Sequence, residues 1–233
     1  MKWGGIVVAA GRGTRFGRPK QFVEIDGLPM VGWSIRALAS VVEIEEIVVV
    51  TERDWLSTME GLVARVAPAC SIRVVVGGAT RQASVRNGLR ALSPASDAVL
   101  VHDGARPLVL PSDICMGIRE VRSGRGAVLA AAVVDTIKVV DAESMRVVET
   151  PDRGRLWAAQ TPQFAMRADL ERAHDDADAA GVTLTDDVAL LERIGLDVIV
   201  VPSSSENFKV THAPDVRRAE AVLRERLAME ERA

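Results

Sequence analysis

Six short and almost uninterrupted apolar runs punctuate this chain, with helically spaced segments between them. The runs are Ile6–Ala10, Ile47–Thr51, Ile72–Val76, Ala98–His102, Ala127–Val134 and Val198–Val201. A strand that is apolar on both faces needs a covering layer on each side, as in a parallel sheet. Met30–Val42, Trp55–Val66, Thr80–Leu92 and Pro111–Arg122 repeat apolar residues at helical intervals, as do Ala168–Ala180, Asp186–Ile194 and Pro214–Met229. Strand–helix repetition with short connections predicts an α/β fold, a three-layer α/β/α sandwich around a mostly parallel sheet. No tandem repeat or low-complexity linker divides residues 1–233, so one domain is expected. One segment breaks the rhythm. Thr136–Val140 and Arg146–Glu149 flank a turn at Asp141–Ser144, a hairpin with no helix after it. The pattern fits equally a hairpin on the edge of the sheet and an arm reaching toward another subunit.

The carboxyl ends of these strands carry the chain's unusual residues, which is where open α/β sheets bind ligands. After the first run, small residues Ala9 and Ala10 lead into Gly11–Lys20, where Arg12, Arg15, Arg18 and Lys20 fall close together. The net charge of -3 and pI near 5.7 exclude a general nucleic-acid or membrane surface, so an anionic ligand has to be met by such local clusters. Glycines here let backbone N–H groups approach a phosphate. The stretch is neither a Walker A loop, lacking Gly-Lys-Ser/Thr, nor a dinucleotide fingerprint, since Phe16 stands where the third glycine belongs. A solvated basic turn is the plainer alternative.

Three more turns share that edge. Gly77–Ser84 is a glycine turn entering a helix, whose N-terminus favours negative charge. His102-Asp103-Gly104-Ala105-Arg106-Pro107 and Asp135-Thr136-Ile137-Lys138 follow the next two runs. Asp103, an acid at a strand tip beside glycine, suits contact with a hydroxyl or a metal-bound water, or a turn cap; Arg106 is its candidate structural partner. His102 reads as hydrogen-bonded scaffold. Ser84 lacks a nucleophile elbow, which excludes serine hydrolysis. Cys70 and Cys115 are isolated and read as buried thiols, not as a disulfide or metal site. No segment approaches a membrane span, so a cytoplasmic location is expected.

Taken together, these blocks resemble the 2-C-methyl-D-erythritol 4-phosphate cytidylyltransferase family. The resemblance rests on Ala9-Ala10-Gly11-x-Gly13-x-Arg15, Pro19-Lys20-Gln21, Gly77-Gly78-x-x-Arg81-x-x-Ser84-Val85, His102–Pro107, Asp135–Lys138, Thr161-Pro162-Gln163 and Asn207-Phe208-Lys209-Val210-Thr211, in family order. It implies a Rossmann-like nucleotidyltransferase fold with a protruding β-hairpin arm at about 136–150, CTP and 2-C-methyl-D-erythritol 4-phosphate as substrates, and Mg²⁺ as cofactor. It also implies a place in the non-mevalonate isoprenoid precursor pathway, no fused cyclodiphosphate synthase, and a homodimer exchanging arms. The catalytic residues it implies are Arg15, Lys20, Arg153 and Lys209. Ala9, Ala10, Gly11, Gly13, Gly78, Arg81 and Ser84 would bind the nucleotide, and Asp103, Arg106, Thr136 and Thr161 the polyol side. No carboxylate cluster is visible, so Mg²⁺ is expected mainly on phosphate oxygens. The chain departs from the family in a short loop between Arg15 and Pro19 and in Phe16 where Met is usual. Two alternatives stay open: a pentitol-phosphate enzyme such as a ribitol 5-phosphate cytidylyltransferase, and a non-catalytic nucleotide-binding module. Asp152–Trp157 and Thr185-Asp186-Asp187 look more like the methylerythritol type.

Overall fold

Strand β1 (Trp3–Val8) sits between β4 (Ile44–Thr51) and β6 (Ala98–Asp103), parallel to both. The computed structural model describes residues 1–11 and 19–230. Its main sheet has seven strands in the order β11-β7-β10-β6-β1-β4-β5, with β5 at Ser71–Val76, β7 at Arg125–Ala132, β10 at Trp157–Met166 and β11 at Asp197–Pro202. All pairings are parallel except those of β10, which runs antiparallel to both β6 and β7. A two-residue pair, β2 (Glu24–Ile25) and β3 (Leu28–Pro29), precedes the first helix.

Alternation along each strand divides the core in two. Val7, Ile47, Val49, Leu100 and Phe164 face one side, and Ile6, Val48, Val50, Val99 and Val101 face the other. Helices α1 (Met30–Ala39), α2 (Leu56–Val66) and α4 (Pro111–Glu120) cover the first face through Ile35, Met59 and Ile114. Helices α3 (Arg81–Ala91), α5 (Arg167–Ala179) and α6 (Asp187–Arg193) cover the second through Val85, Leu170 and Leu190. The expected three-layer arrangement results. The last helix, α7 (Ala213–Glu230), closes a smaller cluster with Ile25, Leu108 and Val210.

The structure adds one strand that the sequence did not mark and removes one of the two readings of the hairpin. Strand β10 lies within no apolar run of the sequence, because Ala, Gln and Pro supply most of it and none of them favours strands. Tertiary context builds it, filling the slot between β6 and β7. The hairpin is not an edge of the main sheet. Its strands, β8 (Val139–Val140) and β9 (Val147–Glu149), pair only with each other as a separate two-stranded ribbon.

Candidate functional site

Above the carboxyl ends of β1, β4, β5 and β6 opens a cleft of about 820 Å³. Its base is built by close backbone approach. A Cβ added at Gly77 would lie 2.5 Å from Ala10 Cβ and 2.9 Å from Ser84 Oγ, and one added at Gly78 would lie 2.5 Å from Ala83 Cβ. Only glycine allows this packing. Thr80 caps α3 by accepting from the Ala83 amide at 3.0 Å, while Ser84 Oγ accepts from the Gly78 amide at 3.1 Å and donates to the Thr80 carbonyl at 2.9 Å. The turn between β5 and α3 is thereby held rigid at the cleft wall.

Charge is organised around one carboxylate. Asp103 ends β6, is 7% exposed, and accepts from Arg81 Nε at 3.2 Å and Lys209 Nζ at 2.7 Å. Burial opposes its ionisation, but Arg81 and Lys209 outweigh burial and hold the carboxyl well below the usual range. Arg81 reaches on to Asp187, at the start of α6, at 2.7 Å. Burial likewise works against the Arg81 charge, and Asp187 and Asp103 together raise its pKa nonetheless. Lys20 enters from the β1 side and donates to the Val210 carbonyl at 3.2 Å, one residue beyond Lys209. Both lysines line the same cleft, so it presents two ammonium groups to a multiply charged anion.

Behind this lies a buried polar frame. The ladder between β10 and β7 shifts register between Ala159 and Gln163, a bulge that turns Thr161 inward. Thr161 Oγ1 accepts from the Asp103 amide at 3.0 Å and lies 3.1 Å from His102 Nδ1; His102 Nε2 lies 3.1 Å from the Arg106 carbonyl. A carbonyl only accepts, so Nε2 carries the proton and bare Nδ1 accepts from Thr161. Burial lowers the His102 pKa from 6.5 to about 4. This is the scaffold role expected of it.

The consequence is a pH-dependent stability. Between about pH 6.5 and 4 the unfolded chain protonates His102 and the folded chain does not, so stability falls as pH falls through that window. The full window corresponds to about 3 kcal/mol, and burial lowers the His174 pKa as well, adding a loss of the same sign. Urea unfolding at pH 7.5 and 5 should show His102→Gln losing about 2 kcal/mol less than wild type across that interval. Equal losses would contradict the neutral, buried assignment.

Of the residues singled out from sequence, Ala9, Ala10, Gly11, Lys20, Gly78, Arg81, Ser84, Asp103 and Lys209 line the cleft together. Gly13 and Arg15 lie outside the described residues. Arg106 makes no direct ion pair with the Asp103 carboxylate, although its charge favours that carboxylate's ionised form; its guanidinium donates to the Asn207 carbonyl at 2.7 Å and to that of Ala159 at 3.4 Å, so it ties the Lys209 segment to β10. Thr161 stands just behind the cleft. Thr136 and Arg153 are absent from its lining; both are exposed beside the ribbon, with Arg153 donating to the Val134 carbonyl at 3.0 Å. Sequence reasoning had not joined Arg81 to Asp187, nor Gln163 to the α6 N-terminus, where its Oε1 accepts from the amides of Asp187 at 2.8 Å and Val188 at 3.0 Å. Sequence distance hid both, although the acid pair at a helix start was a visible capping signal.

Among the described residues no group of three or more His, Cys, Asp or Glu is placed to hold a metal ion. Asp103, the carboxylate nearest the cations, has both oxygens engaged.

Comparison with known proteins gives a consistent result. The family model for 2-C-methyl-D-erythritol 4-phosphate cytidylyltransferase matches residues 4–225. A protein of that name from Nocardia farcinica is 45% identical over 96% of this chain and 95% of its own. Another from Streptomyces coelicolor is 43% identical over 95% of this chain and 84% of its own. The crystal structure of 4-diphosphocytidyl-2C-methyl-D-erythritol synthase from Anaerococcus prevotii superposes with a TM-score of 0.86 at 30% identity, covering 96% of both chains. That of the cytidylyltransferase from Thermus thermophilus gives 0.75 at 32% identity, covering 96% of this chain and 100% of its own.

Proposed function

The chain belongs to the 2-C-methyl-D-erythritol 4-phosphate cytidylyltransferase family, and from that premise we infer that the cleft above β1, β4, β5 and β6 houses the family's reaction. The chain is a nucleotidyltransferase: it moves CMP from CTP onto 2-C-methyl-D-erythritol 4-phosphate, releasing pyrophosphate, in the non-mevalonate route to isoprenoid precursors. The assignment of that reaction to particular residues is ours, and the placement of Lys20 and the Asp103-paired Lys209 in one cleft is the observation that carries it.

No enzyme base is required. A phosphate monoester has its second pKa near about 6, so the substrate phosphate is mostly dianionic at neutral pH and is already a nucleophile. One of its oxygens attacks the α-phosphorus of CTP in line, and the bond from that phosphorus to the bridging oxygen breaks as pyrophosphate leaves. The protein's task is positioning and charge stabilisation. Lys20, with Arg15, is assigned to the triphosphate and the charge that develops on it. Lys209, poised by Asp103, is assigned to the incoming phosphate. Ala9, Ala10, Gly11, Gly78 and Ser84 are assigned to frame the cytidine, and Arg81 to brace that wall. Mg²⁺, bound with the nucleotide, would supply further neutralisation of negative charge.

Arg153 and Thr136 lie apart from this cleft on their own chain, and the ribbon beside them exposes Met145 by 69%, Val147 by 53% and Val148 by 65%. An isolated two-stranded ribbon with an apolar surface needs a partner to cover it. We assign it as the arm of a single nucleotidyltransferase domain, clasping a second copy and delivering Arg153 and Thr136 to the partner's cleft. Among the described residues no helix is long and apolar enough to cross a membrane. The homodimer is read as cytoplasmic.

Pyrophosphate release from CTP and Mg²⁺ should be driven by 2-C-methyl-D-erythritol 4-phosphate with kcat/KM about 100-fold or more above that for ribitol 5-phosphate. The reverse preference would make this a pentitol-phosphate enzyme. No release with either polyol would leave only a nucleotide-binding module.

A further inference from the structure

We propose that Glu52 is a cytosine-selecting residue, its carboxylate accepting a hydrogen bond from the 4-amino group of the CTP base. The proposal rests on the reading of the cleft as a CTP site. Glu52 follows directly on β4, and sheet order fixes its neighbours. The Ala9 amide donates to the Val50 carbonyl at 2.7 Å, and the Gly77 amide to the Thr51 carbonyl at 2.8 Å. Glu52 therefore stands between Ala9-Ala10 and Gly77-Gly78, the small-residue slot of the cleft, and lines it.

Its side chain is half-buried, and Oε1 is buried with no hydrogen-bond partner. Among the described residues Glu52 makes no side-chain hydrogen bond or ion pair, unlike Asp103, which two cations satisfy. A buried acceptor without a donor is costly and acquires its partner when something fills the cleft.

Charge decides which part of the nucleotide that is. Lys209 pairs with Asp103 at the end of β6 and Lys20 donates to the Val210 carbonyl, whereas Glu52, Arg53 and Asp54 follow β4 and sum to a net negative charge. The triphosphate is drawn to the first and repelled from the second, which leaves the base beside Glu52. A carboxylate is an acceptor only. It suits the donor N4–H₂ of cytosine and opposes O4 of uracil, an acceptor at the same position.

The test measures equilibrium binding of CTP and UTP, and kcat/KM for each with 2-C-methyl-D-erythritol 4-phosphate, in wild type, Glu52→Gln and Glu52→Ala. Gln keeps the shape and adds an N–H₂ that can serve uracil O4. The preference for CTP should fall roughly 10- to 100-fold in Glu52→Gln, with UTP improving in absolute terms. In Glu52→Ala it should fall through loss of CTP alone. Both nucleotides weakening equally, or an unchanged preference in Glu52→Gln, would overturn the proposal and leave the cleft assignment standing. A wild-type protein that neither binds CTP nor releases pyrophosphate from it would remove the cleft assignment and this proposal together.

Discussion

Lys20→Ala should lower kcat by roughly 10²–10³ while changing the affinity for CTP far less, because a fixed cation contributes most where charge develops in the transition state. Lys20 is held for this task by its hydrogen bond to the Val210 carbonyl, which ties the β1 loop to the segment bearing Lys209. The loss corresponds to about 2.7–4 kcal/mol of transition-state stabilisation. Steady-state rates with direct measurement of CTP binding separate the two effects. A kcat within threefold of wild type would remove Lys20 from the mechanism, and a pure rise in KM would make it a ground-state binding residue.

The second large effect concerns Arg153. Arg153→Ala should abolish turnover to a comparable extent, although Arg153 lies outside the cleft of its own chain. Mixing Lys20→Ala and Arg153→Ala proteins under conditions of subunit exchange should then restore activity. With random pairing about half the dimers are hybrids, and in each of these one site combines an intact Lys20 with an intact Arg153 from the other chain. Roughly a quarter of all sites recover, by the reciprocity of a two-fold contact. If Arg153 served its own chain, every hybrid site would carry one lesion. Proven exchange without recovery would therefore sink the shared site.

Among the described residues the seven α-helices and six of the main sheet's strands were legible from apolar periodicity, because each is amphipathic or two-face buried within a short, self-contained segment. Strand β10 was not, since its Ala, Gln and Pro residues carry no strand preference and its existence depends on the gap between β6 and β7. The edge rule for parallel sheets located the cleft: Gly78, Asp103 and Lys20 were all marked by their place after a strand. What stayed hidden was pairing across the chain. Asp103 is committed to Arg81 and Lys209, the latter 106 positions away, and neither pairing shows in the sequence. Arg106 reads as its partner by adjacency, yet points to the Asn207 carbonyl instead. Glu52 obeyed the same edge rule as Asp103 and went unmarked, because only the fold reveals an acceptor buried without a donor.

Phosphorus-31 NMR of CTP, 2-C-methyl-D-erythritol 4-phosphate, Mg²⁺ and the purified protein tests the central claim most directly. The account predicts that the triphosphate signals give way to those of a diphosphate diester and free pyrophosphate in equal amounts. It also predicts that omitting the polyol phosphate stops CTP consumption and that Lys20→Ala slows conversion about 100-fold or more. Conversion of CTP to CMP without the polyol, or no reaction in the complete mixture, would contradict it.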